Sequence, residues 1–250
     1  MTDQFRTKFQ LVVANTPELL KEVHKIRYDV YCRELNYETP ENCPSGMEQD
    51  IYDKRSIHCL LKHRSSGIYA GCVRIVLADP AHPEAPFPFE NICRHSLDSD
   101  SIELTKLPRY SFCEVSRLAV RSEFRKCQES IQMHKAFSGQ SSLVHEERKH
   151  FPLIALGLYL AGISVALEFG VDIFAMMEPR LSRHLRRYGF PSRQIGELVE
   201  HRGKRAPFQL FREAILKKLQ PNTYELLQTI RSDIQRSLKH NSFMDAAMNN

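Results

Sequence analysis

Apolar residues recur at helical spacing near the start of the chain. Thr16 is a suitable helix cap, Pro17 suits the first helical position, and Arg27 lies beside the apolar stripe rather than opposite it. The stripe consists of Leu19, Leu20, Val23, Ile26, Val30 and Tyr31. This spacing predicts a helix that begins after Thr16, and the prolines within residues 36–56 predict a loop after it.

Shorter apolar runs further along predict strands. Turn residues separate the first two runs, and four prolines in residues 79–91 predict a loop after them. The predicted strands span residues 57–63, 69–78, 112–120 (FCEVSRLAV) and 171–177 (VDIFAMM), with two weaker pieces at about 194–201 and 206–212.

Three more helices are predicted in the second half of the chain. They run from Pro152 to just before Gly170, from Pro179 to about Tyr188, and over residues 222–239. Residues 121–150 are rich in polar side chains and predict an exposed insertion, while the last ten residues predict a frayed end.

This order of elements predicts an α/β (α+β) fold, with a mixed central sheet covered by helices on both faces. Periodicity alone does not choose among α/β arrangements. We expect one domain over residues 1–220, including the insertion at 121–150, and a C-terminal helix and tail over 221–250.

Composition narrows the class of protein. The 250 residues are 42% hydrophobic and 26% charged, and the net charge of +5 is compatible with an acidic partner protein. Because no run of five Lys or Arg occurs, we expect no nucleic-acid binding. The seven cysteines form no C-x-x-C pair and residues 1–16 lack an apolar signal core, so we expect reduced thiols, no metal and a cytoplasmic location. The apolar segment 153–167 is too short for a membrane span, which needs about 20 residues, and favours a buried helix.

Six charged residues stand within or beside apolar stretches. A charge inside a buried strand or helix is costly unless it is paired, so three cations and three anions indicate one internal cluster. The six residues are Arg27, Asp50, Asp53, Arg74, Glu114 and Arg117.

The order and setting of these six residues resemble the signature of acyl-homoserine-lactone synthases and of long-chain N-acyl amino acid synthases. The resemblance implies a GNAT-like fold and an acyl-carrier-protein thioester as donor. It also implies that Arg27, Asp50, Asp53 and Arg74 frame the site of a small amine acceptor. The alternative is a purely structural network of salt bridges. Residues 178–207 also resemble acyltransferases associated with PEP-CTERM/exosortase systems.

The strand at 112–120 carries the candidate catalytic groups. Side chains alternate along it, so Glu114 and Ser116 share one face and a bulge is needed to bring Arg117 beside Glu114. The resemblance implies that this strand splays from VDIFAMM, which frees a backbone N–H for an oxyanion, and that Glu114 accepts the amine proton. The alternative is that Glu114 only pairs with Arg117 or Arg74. Phe174 and Met176 are expected to line the acyl pocket or the core.

Most GNAT acetyltransferases bind coenzyme A on a glycine-rich turn after this strand, and here that turn is missing. The sequence after Val120 is RSEFRKCQESIQM, with no glycine before Gly139. This favours the branch that uses acyl carrier protein, with acyl-CoA as the alternative donor and no tightly bound cofactor.

A basic helix face offers a docking site for acidic acyl carrier protein. Arg180, Arg183 and Arg187 lie at helical spacing, and the alternative is an ordinary solvated face. Arg121, Arg125 and Lys126 are candidates to extend it. The single His58 at a strand start is a weak candidate for a base.

These features predict an N-acyltransferase that moves a medium or long fatty acyl chain from carrier protein to the amine of an amino acid. Three alternatives remain: an acyl-CoA-dependent enzyme, a homoserine-lactone synthase, and a non-catalytic module that binds acyl chains. Autoinducer synthases carry a Trp soon after the first helix, whereas this chain has Tyr37 and no Trp, which favours another acceptor.

Overall fold

The computed structural model of the chain describes residues 1–98, 102–125 and 151–238. These ranges form one mixed sheet with helices packed against it. The strands are β1 (Phe9–Val13), β2 (Ser56–His63), β3 (Tyr69–Val76), β4 (Phe112–Val120), β5 (Asp172–Met177), β6 (Arg193–Gln194), β7 (Val199–Glu200) and β8 (Lys204–Leu210). The helices are α1 (Thr2–Lys8), α2 (Pro17–Tyr28), α3 (Pro88–Ile92), α4 (Phe151–Phe169), α5 (Pro179–Arg186), α6 (Arg212–Lys218) and α7 (Pro221–Leu238).

The four main predicted strands are confirmed, and β4 has the predicted bounds. The weaker pieces resolve into β6, β7 and β8. A π-helical segment, Asp29–Glu34, continues α2, and a 3₁₀ turn, Ile51–Arg55, leads into β2. The larger part of the predicted polar insertion, residues 126–150, lies outside the described residues, as do residues 239–250.

The N-terminal segment corrects the sequence analysis, which assigned no element before Thr16. Residues 2–8 form α1, and β1 pairs antiparallel with β2, with Leu11 opposite Leu61. Alternate residues of β1 are buried, so the strand has one face on the core. Helix α6 was also missed.

The sheet runs in the order β1-β2-β3-β4-β5-β8-β6, and β7 pairs with β8. Among the described strands, β4 and β5 form the one parallel pair. Successive side chains of β2 face opposite layers: Leu60 packs against α2, whereas Cys59 and Leu61 pack in the core that contains α4. Helices therefore cover both faces of a mixed sheet, as the sequence predicts.

Helix α4 is apolar enough to span a membrane by length and composition alone, over Pro152–Phe169. In this fold it packs against the sheet instead, and most of that segment is buried. A Cβ added to Gly162 would lie 3.1 Å from the Val115 methyl groups, so the absence of a side chain lets α4 approach β4 closely. The expectation of a buried helix agrees with this packing.

The C-terminal helix α7 contributes to the same core. Its buried residues Leu226, Leu227, Ile230 and Ile234 pack with α4 and β1. The division of the chain at residue 220 stays a prediction.

Candidate active site

The strands β4 and β5 separate in the middle of the sheet. They pair for three positions, ending with Glu114 opposite Phe174. Beyond that position β4 follows β3 as far as Val120, while β5 follows β8 as far as Met177. The predicted splay is confirmed, and it leaves the facing backbone edges of both strands without a ladder partner.

A cavity of about 440 Å³ fills the space between the separated strands. Its apolar walls come from β4, β5, α4 and α5 and the segment after α5, and include Val115, Ala175, Met177, Ile163, Leu181, Leu185 and Phe190. Tyr31, Tyr37 and Ser116 are among its polar residues. The result is an apolar cleft with a polar rim, which suits an acyl chain attached to a polar carrier.

Of the two β5 residues proposed for the pocket, one lines this cavity and one does not. Met176 contributes to the wall. Phe174 lies on the same face of β5 as Met176 but is fully buried, and its ring lies 5.0 Å from that of Phe89 and 4.9 Å from that of Phe112. The aromatic cluster fills the space around this ring, so Phe174 is a core residue beside Glu114 and not a cavity wall.

The structure brings most of the predicted charges together on the α2 face of the sheet. Arg27 Nη1 donates to Asp53 Oδ1 at 2.6 Å, and Arg74 Nη1 donates to the same oxygen at 2.9 Å. Arg74 Nη1 also donates to Asp50 Oδ1 at 2.6 Å. Both arginines are 0% exposed, so their charges are removed from water and balanced inside the protein.

Sequence reasoning missed one anion of this cluster. Glu48, 3% exposed, accepts a hydrogen bond from Arg27 Nε and lies 3.1 Å from Arg117 Nε. The cluster is therefore Arg27, Arg74 and Arg117 with Glu48, Asp50 and Asp53. Charge balance alone could not have shown that Glu48, rather than Glu114, is the third anion.

Local backbone structure orients the two aspartates. Asp50 caps the 3₁₀ turn: its side chain accepts from Tyr52 N at 3.0 Å, while Asp53 Oδ2 accepts from Asp50 N at 2.8 Å. Burial acts to raise the pKa of Asp53, but Arg27 and Arg74 hold that pKa well below its usual range. Asp53 is therefore ionised throughout the physiological range.

A bulge in β4 directs Arg117 toward this cluster. Ser116 pairs with Arg74 and Ala119 pairs with Cys72, so two residues of β4 stand opposite one of β3. Arg117 has a φ of +52°, which is strained for a residue with a Cβ. Its guanidinium bonds Glu48 and Asp50, each at 3.1 Å. The expected pairing of Arg117 with Glu114 is therefore wrong: the bulge exists but turns Arg117 to other carboxylates.

Glu114 is the buried carboxylate at the fork. It is 2% exposed, and its Oε2 accepts a hydrogen bond from Phe89 N at 2.8 Å. Burial raises the pKa of Glu114 to about 7, although the Phe89 hydrogen bond and the positive charges of Arg74 and Arg117 act to lower it. Such a carboxyl group can take up and release a proton near neutral pH.

Two neighbouring side chains support the site. Ser116 lines the cavity and accepts from Arg74 Nε at 3.2 Å. Tyr31 donates its hydroxyl to the Leu118 carbonyl at 2.9 Å, next to the bulge, and its ring stacks with Tyr37 at 6.2 Å. The sequence placed Tyr31 on the apolar stripe of the first helix and gave no signal for its hydroxyl contact.

His24, Asp53 and His58 place ligand-type atoms within 4.8 Å of one another. However, Asp53 already accepts from two guanidinium groups and one backbone N–H, so a cation would have to displace them. Burial lowers the pKa of His58 to about 3, and Arg27 and Arg74 oppose its protonation further. His58 is therefore a neutral, buried residue, 3.6 Å from Asp53, and too weak a base for the reaction.

The basic residues proposed for docking differ in their surroundings. Arg180 and Arg183 are exposed on α5, and Arg187 is exposed just after it. In contrast, Arg121 is paired with Glu22 and Asp29, and Arg125 with Glu34. These two arginines tie the segment after β4 to α2 and to the π-helical segment that continues it, so they do not extend a free patch. Lys126 lies outside the described residues.

A second cavity of about 970 Å³ lies at the other end of β4, lined by Tyr52, Leu77, Pro86, Tyr110 and Phe112 among others. Among the residues that the structure describes, none of the six cluster residues lines it, whereas Arg117 lines the cavity between the separated strands. Glu114 lines neither cavity and lies buried beside the point where β4 and β5 separate. The cleft between the separated strands is therefore the candidate active site.

Comparisons with known proteins agree with this geometry. Residues 26–134 match the acetyltransferase (GNAT) domain family. An acyl-homoserine-lactone synthase of Agrobacterium fabrum is 27% identical over 181 residues, which is 71% of this chain and 71% of that protein.

Two solved structures share the fold. The CoA-dependent acyl-homoserine lactone synthase BjaI, with SAM and isopentyl-CoA, has a TM-score of 0.56 at 16% identity and covers 90% of this chain and 89% of its own. FeeM, an N-acyl amino acid synthase from uncultured soil microbes, has a TM-score of 0.54 at 13% identity. The match covers 85% of this chain and 95% of the FeeM chain. At such identities these likenesses support the fold rather than the substrate.

The separated strands, the cavity between them and these matches show a GNAT-like fold and indicate an acyltransferase. Its sequence is similar to that of an acyl-homoserine-lactone synthase, and its fold is similar to that of FeeM.

Proposed function

We propose that this protein is an N-acyltransferase that moves a medium or long fatty acyl group from an acyl-carrier-protein thioester to the amine of an amino acid or similar small acceptor. The observation that carries the proposal is Glu114, buried where β4 and β5 separate, with a pKa raised to about 7. An amine must lose a proton as it attacks a thioester, and a carboxylate with this pKa is a suitable acceptor near neutral pH.

The chemistry follows from the geometry of the cleft. The amine nitrogen attacks the thioester carbonyl and forms the C–N bond, and its proton passes to Glu114, directly or through water. Unpaired N–H groups of β4 beyond Glu114 stabilise the oxyanion. The C–S bond then breaks, and the thiolate leaves and takes up a proton. The apolar walls of the cavity hold the acyl chain and keep water from the thioester.

The ion-pair cluster frames the acceptor side of the cleft in this proposal. Its three cations and three anions balance, so it provides a rigid wall rather than a net charge for binding. Arg117 and Ser116 belong to both the cluster region and the cavity wall, and link the two.

The donor is proposed from the segment after β4 and from α5. The glycine-rich phosphate turn is missing after Val120, and exposed Arg180, Arg183 and Arg187 suit an acidic carrier protein. The likeness of residues 178–207 to PEP-CTERM/exosortase-associated acyltransferases supports the same proposal, and we place the reaction in the cytoplasm. Because BjaI is CoA-dependent, acyl-CoA is the second candidate donor.

Homoserine-lactone synthesis is the second candidate for the acceptor, because the Agrobacterium relative is an acyl-homoserine-lactone synthase. It would need S-adenosylmethionine as the amine. The chain lacks tryptophan, and the stacked pair Tyr31 and Tyr37 lines the cavity, with Tyr31 in the π-helical segment that continues α2 and Tyr37 just after it. This difference favours an amino acid acceptor.

Thiol release tests the proposal directly. Purified protein is given palmitoyl-loaded carrier protein or palmitoyl-CoA with a panel of amino acids or S-adenosylmethionine, and free thiol is measured together with the product mass. We expect release from carrier protein only when an amino acid is present. Release only with S-adenosylmethionine would assign lactone synthesis, and tight binding of the donor without release under any condition would identify a non-catalytic binding module.

A further inference from the structure

Four arginines stand at or beside the cleft, and three of them are neutralised within the protein. Arg117 bonds Glu48 and Asp50. Arg125 pairs with Glu34, and Arg202 pairs with Glu38. These three arginines therefore serve the fold, and their charges are not available to a ligand.

The fourth arginine, Arg205, differs from the other three. It is half-buried on β8 and lines the cavity between the separated strands. Like the paired Arg125, it has a buried Nε atom without a hydrogen-bond acceptor. Among the residues in the described ranges, no carboxylate forms an ion pair with it.

The position of Arg205 is set by the sheet. It pairs with Val199 across the β7–β8 hairpin and directly precedes Ala206, which pairs with Met177 at the far end of β5. Its charge therefore lies at the open end of the fork, several residues along β5 from the Glu114–Phe174 pair.

Glu178, a carboxylate that lines the same cavity, is exposed and forms no ion pair with Arg205 within the described residues. His201 supplies no negative charge in either protonation state; burial lowers its pKa, and the positive charges of Arg205 and Arg117 lower it further. A partly desolvated guanidinium group with an unbonded N–H raises the free energy of the folded protein unless an anion accepts a hydrogen bond from it. Its planar donors suit the oxygens of a carboxylate or phosphate.

We propose that Arg205 binds an anionic oxygen group of a substrate inside the cleft. Two substrates of the proposed reaction carry such a group: the phosphate of the phosphopantetheine arm of the donor, and the carboxylate of an amino acid acceptor. This inference rests on the proposed function, because that function supplies both ligands, but it can be tested by binding without turnover.

The test compares Arg205→Gln with Lys204→Gln. Both variants remove one positive charge from β8, but Lys204 is exposed and is not among the cavity residues. Arg205→Lys is a third variant that keeps the charge and loses the planar donor pair. Each is checked for an unchanged thermal midpoint before kinetics.

The first arm identifies the donor phosphate. Calorimetric titration with 4′-phosphopantetheine and with pantetheine needs no catalysis. If Arg205 binds the phosphate, the wild type prefers phosphopantetheine by about tenfold, and Arg205→Gln loses this preference whereas Lys204→Gln keeps it. This result would support the inference even if no amine were acylated.

The second arm identifies the acceptor carboxylate. The KM for an amino acid is compared with that for its carboxamide in the thiol-release assay. If Arg205 binds the carboxylate, Arg205→Gln raises the KM for the acid about tenfold and leaves that for the amide unchanged, with Arg205→Lys in between.

The inference is overturned if Arg205→Gln matches Lys204→Gln in both arms. In that case amine-dependent thiol release would still support the proposed function. Conversely, loss of phosphopantetheine binding in Arg205→Gln without any turnover would support the anion site and reject the proposed reaction.

Discussion

Asp53 and Glu114 are two carboxylates on the α2 face of the sheet, 11% and 2% exposed, and their environments give them opposite acid–base behaviour. Asp53 touches Arg27 and Arg74 at 2.6 and 2.9 Å, and its pKa lies well below the usual range. Glu114 accepts from the backbone of Phe89 instead, and burial raises its pKa to about 7.

The difference shows that direct contact with a guanidinium group decides what a buried carboxylate can do. Burial disfavours ionisation of both groups, but the two arginines outweigh that effect for Asp53 alone. Asp53 is a fixed charge that holds α2 and the 3₁₀ turn to the sheet. Glu114 is a group whose proton can move at neutral pH.

The largest expected effect is on turnover in Glu114→Gln. The amide keeps an oxygen for Phe89 N but cannot accept the amine proton, so kcat should fall by about 10²–10⁴-fold with little change in donor affinity. Thiol-release kinetics measure this. The control is Glu123→Gln, which removes an exposed carboxylate and should leave kcat unchanged. A Glu114→Gln enzyme of normal rate would contradict the role of Glu114 as base.

The next effect is on stability in Arg27→Met. This change leaves Glu48 and Asp53 buried with less compensation, so the free energy of unfolding should fall by about 3–5 kcal/mol. Urea denaturation measures it. The matched control is Arg33→Met, since Arg33 is 70% exposed and pairs with Asp29 at the surface, where the loss should stay below about 1 kcal/mol. Equal losses in both variants would show that the internal cluster is no more important than a surface pair.

The pH dependence of stability separates the two carboxylates. The unfolded chain ionises Glu114 near its ordinary pKa of 4.5, whereas the folded protein keeps the proton until about pH 7, so this group costs stability as pH rises between these values. Glu114→Gln should therefore be more stable than the wild type above pH 7, by up to about 3 kcal/mol, and equal to it near pH 4.

Asp53 should show the opposite slope, because its folded pKa is lowered: its contribution is present above its unfolded value and is lost as pH falls below it. Urea midpoints of Asp53→Asn and Glu114→Gln across pH 3–8 measure both slopes. If the two variants followed the same pH trend, the contrast between the carboxylates would be wrong.

The smallest expected effect is on the length of the acyl chain that the cleft accepts. Ala175 on β5 lines the cavity, so Ala175→Leu should shorten the space for the acyl chain and shift the ratio of kcat/KM values toward shorter donors by about tenfold. A donor series of increasing chain length measures it, with exposed Ala81→Leu as the control. An unchanged length preference would place the acyl chain elsewhere.

The pattern of apolar and polar residues predicts much of this architecture, because apolar runs that must be buried can form only a few arrangements of strands and helices. FCEVSRLAV forms β4 within the predicted bounds, and VDIFAMM forms β5 from Asp172. The short strand β1 was missed, since five residues in a polar context become a strand only by pairing with β2. The PEP-CTERM association and the roles of the site residues stay predictions.

The sequence by itself determined that several charges had to be paired inside the protein, because each stands in a stretch that the fold must bury. Only the tertiary structure decided the partners. The bulge at Arg117 turns that side chain to Glu48 and Asp50, and the loop before β2 brings Glu48 onto Arg27. Glu114 is left without a direct guanidinium partner in the described structure, and its pKa is raised by burial. The energy of an ion pair changes strongly when the distance between its charges changes by a few ångströms. Such distances are set by tertiary packing and are not visible in the pattern of residues along the chain.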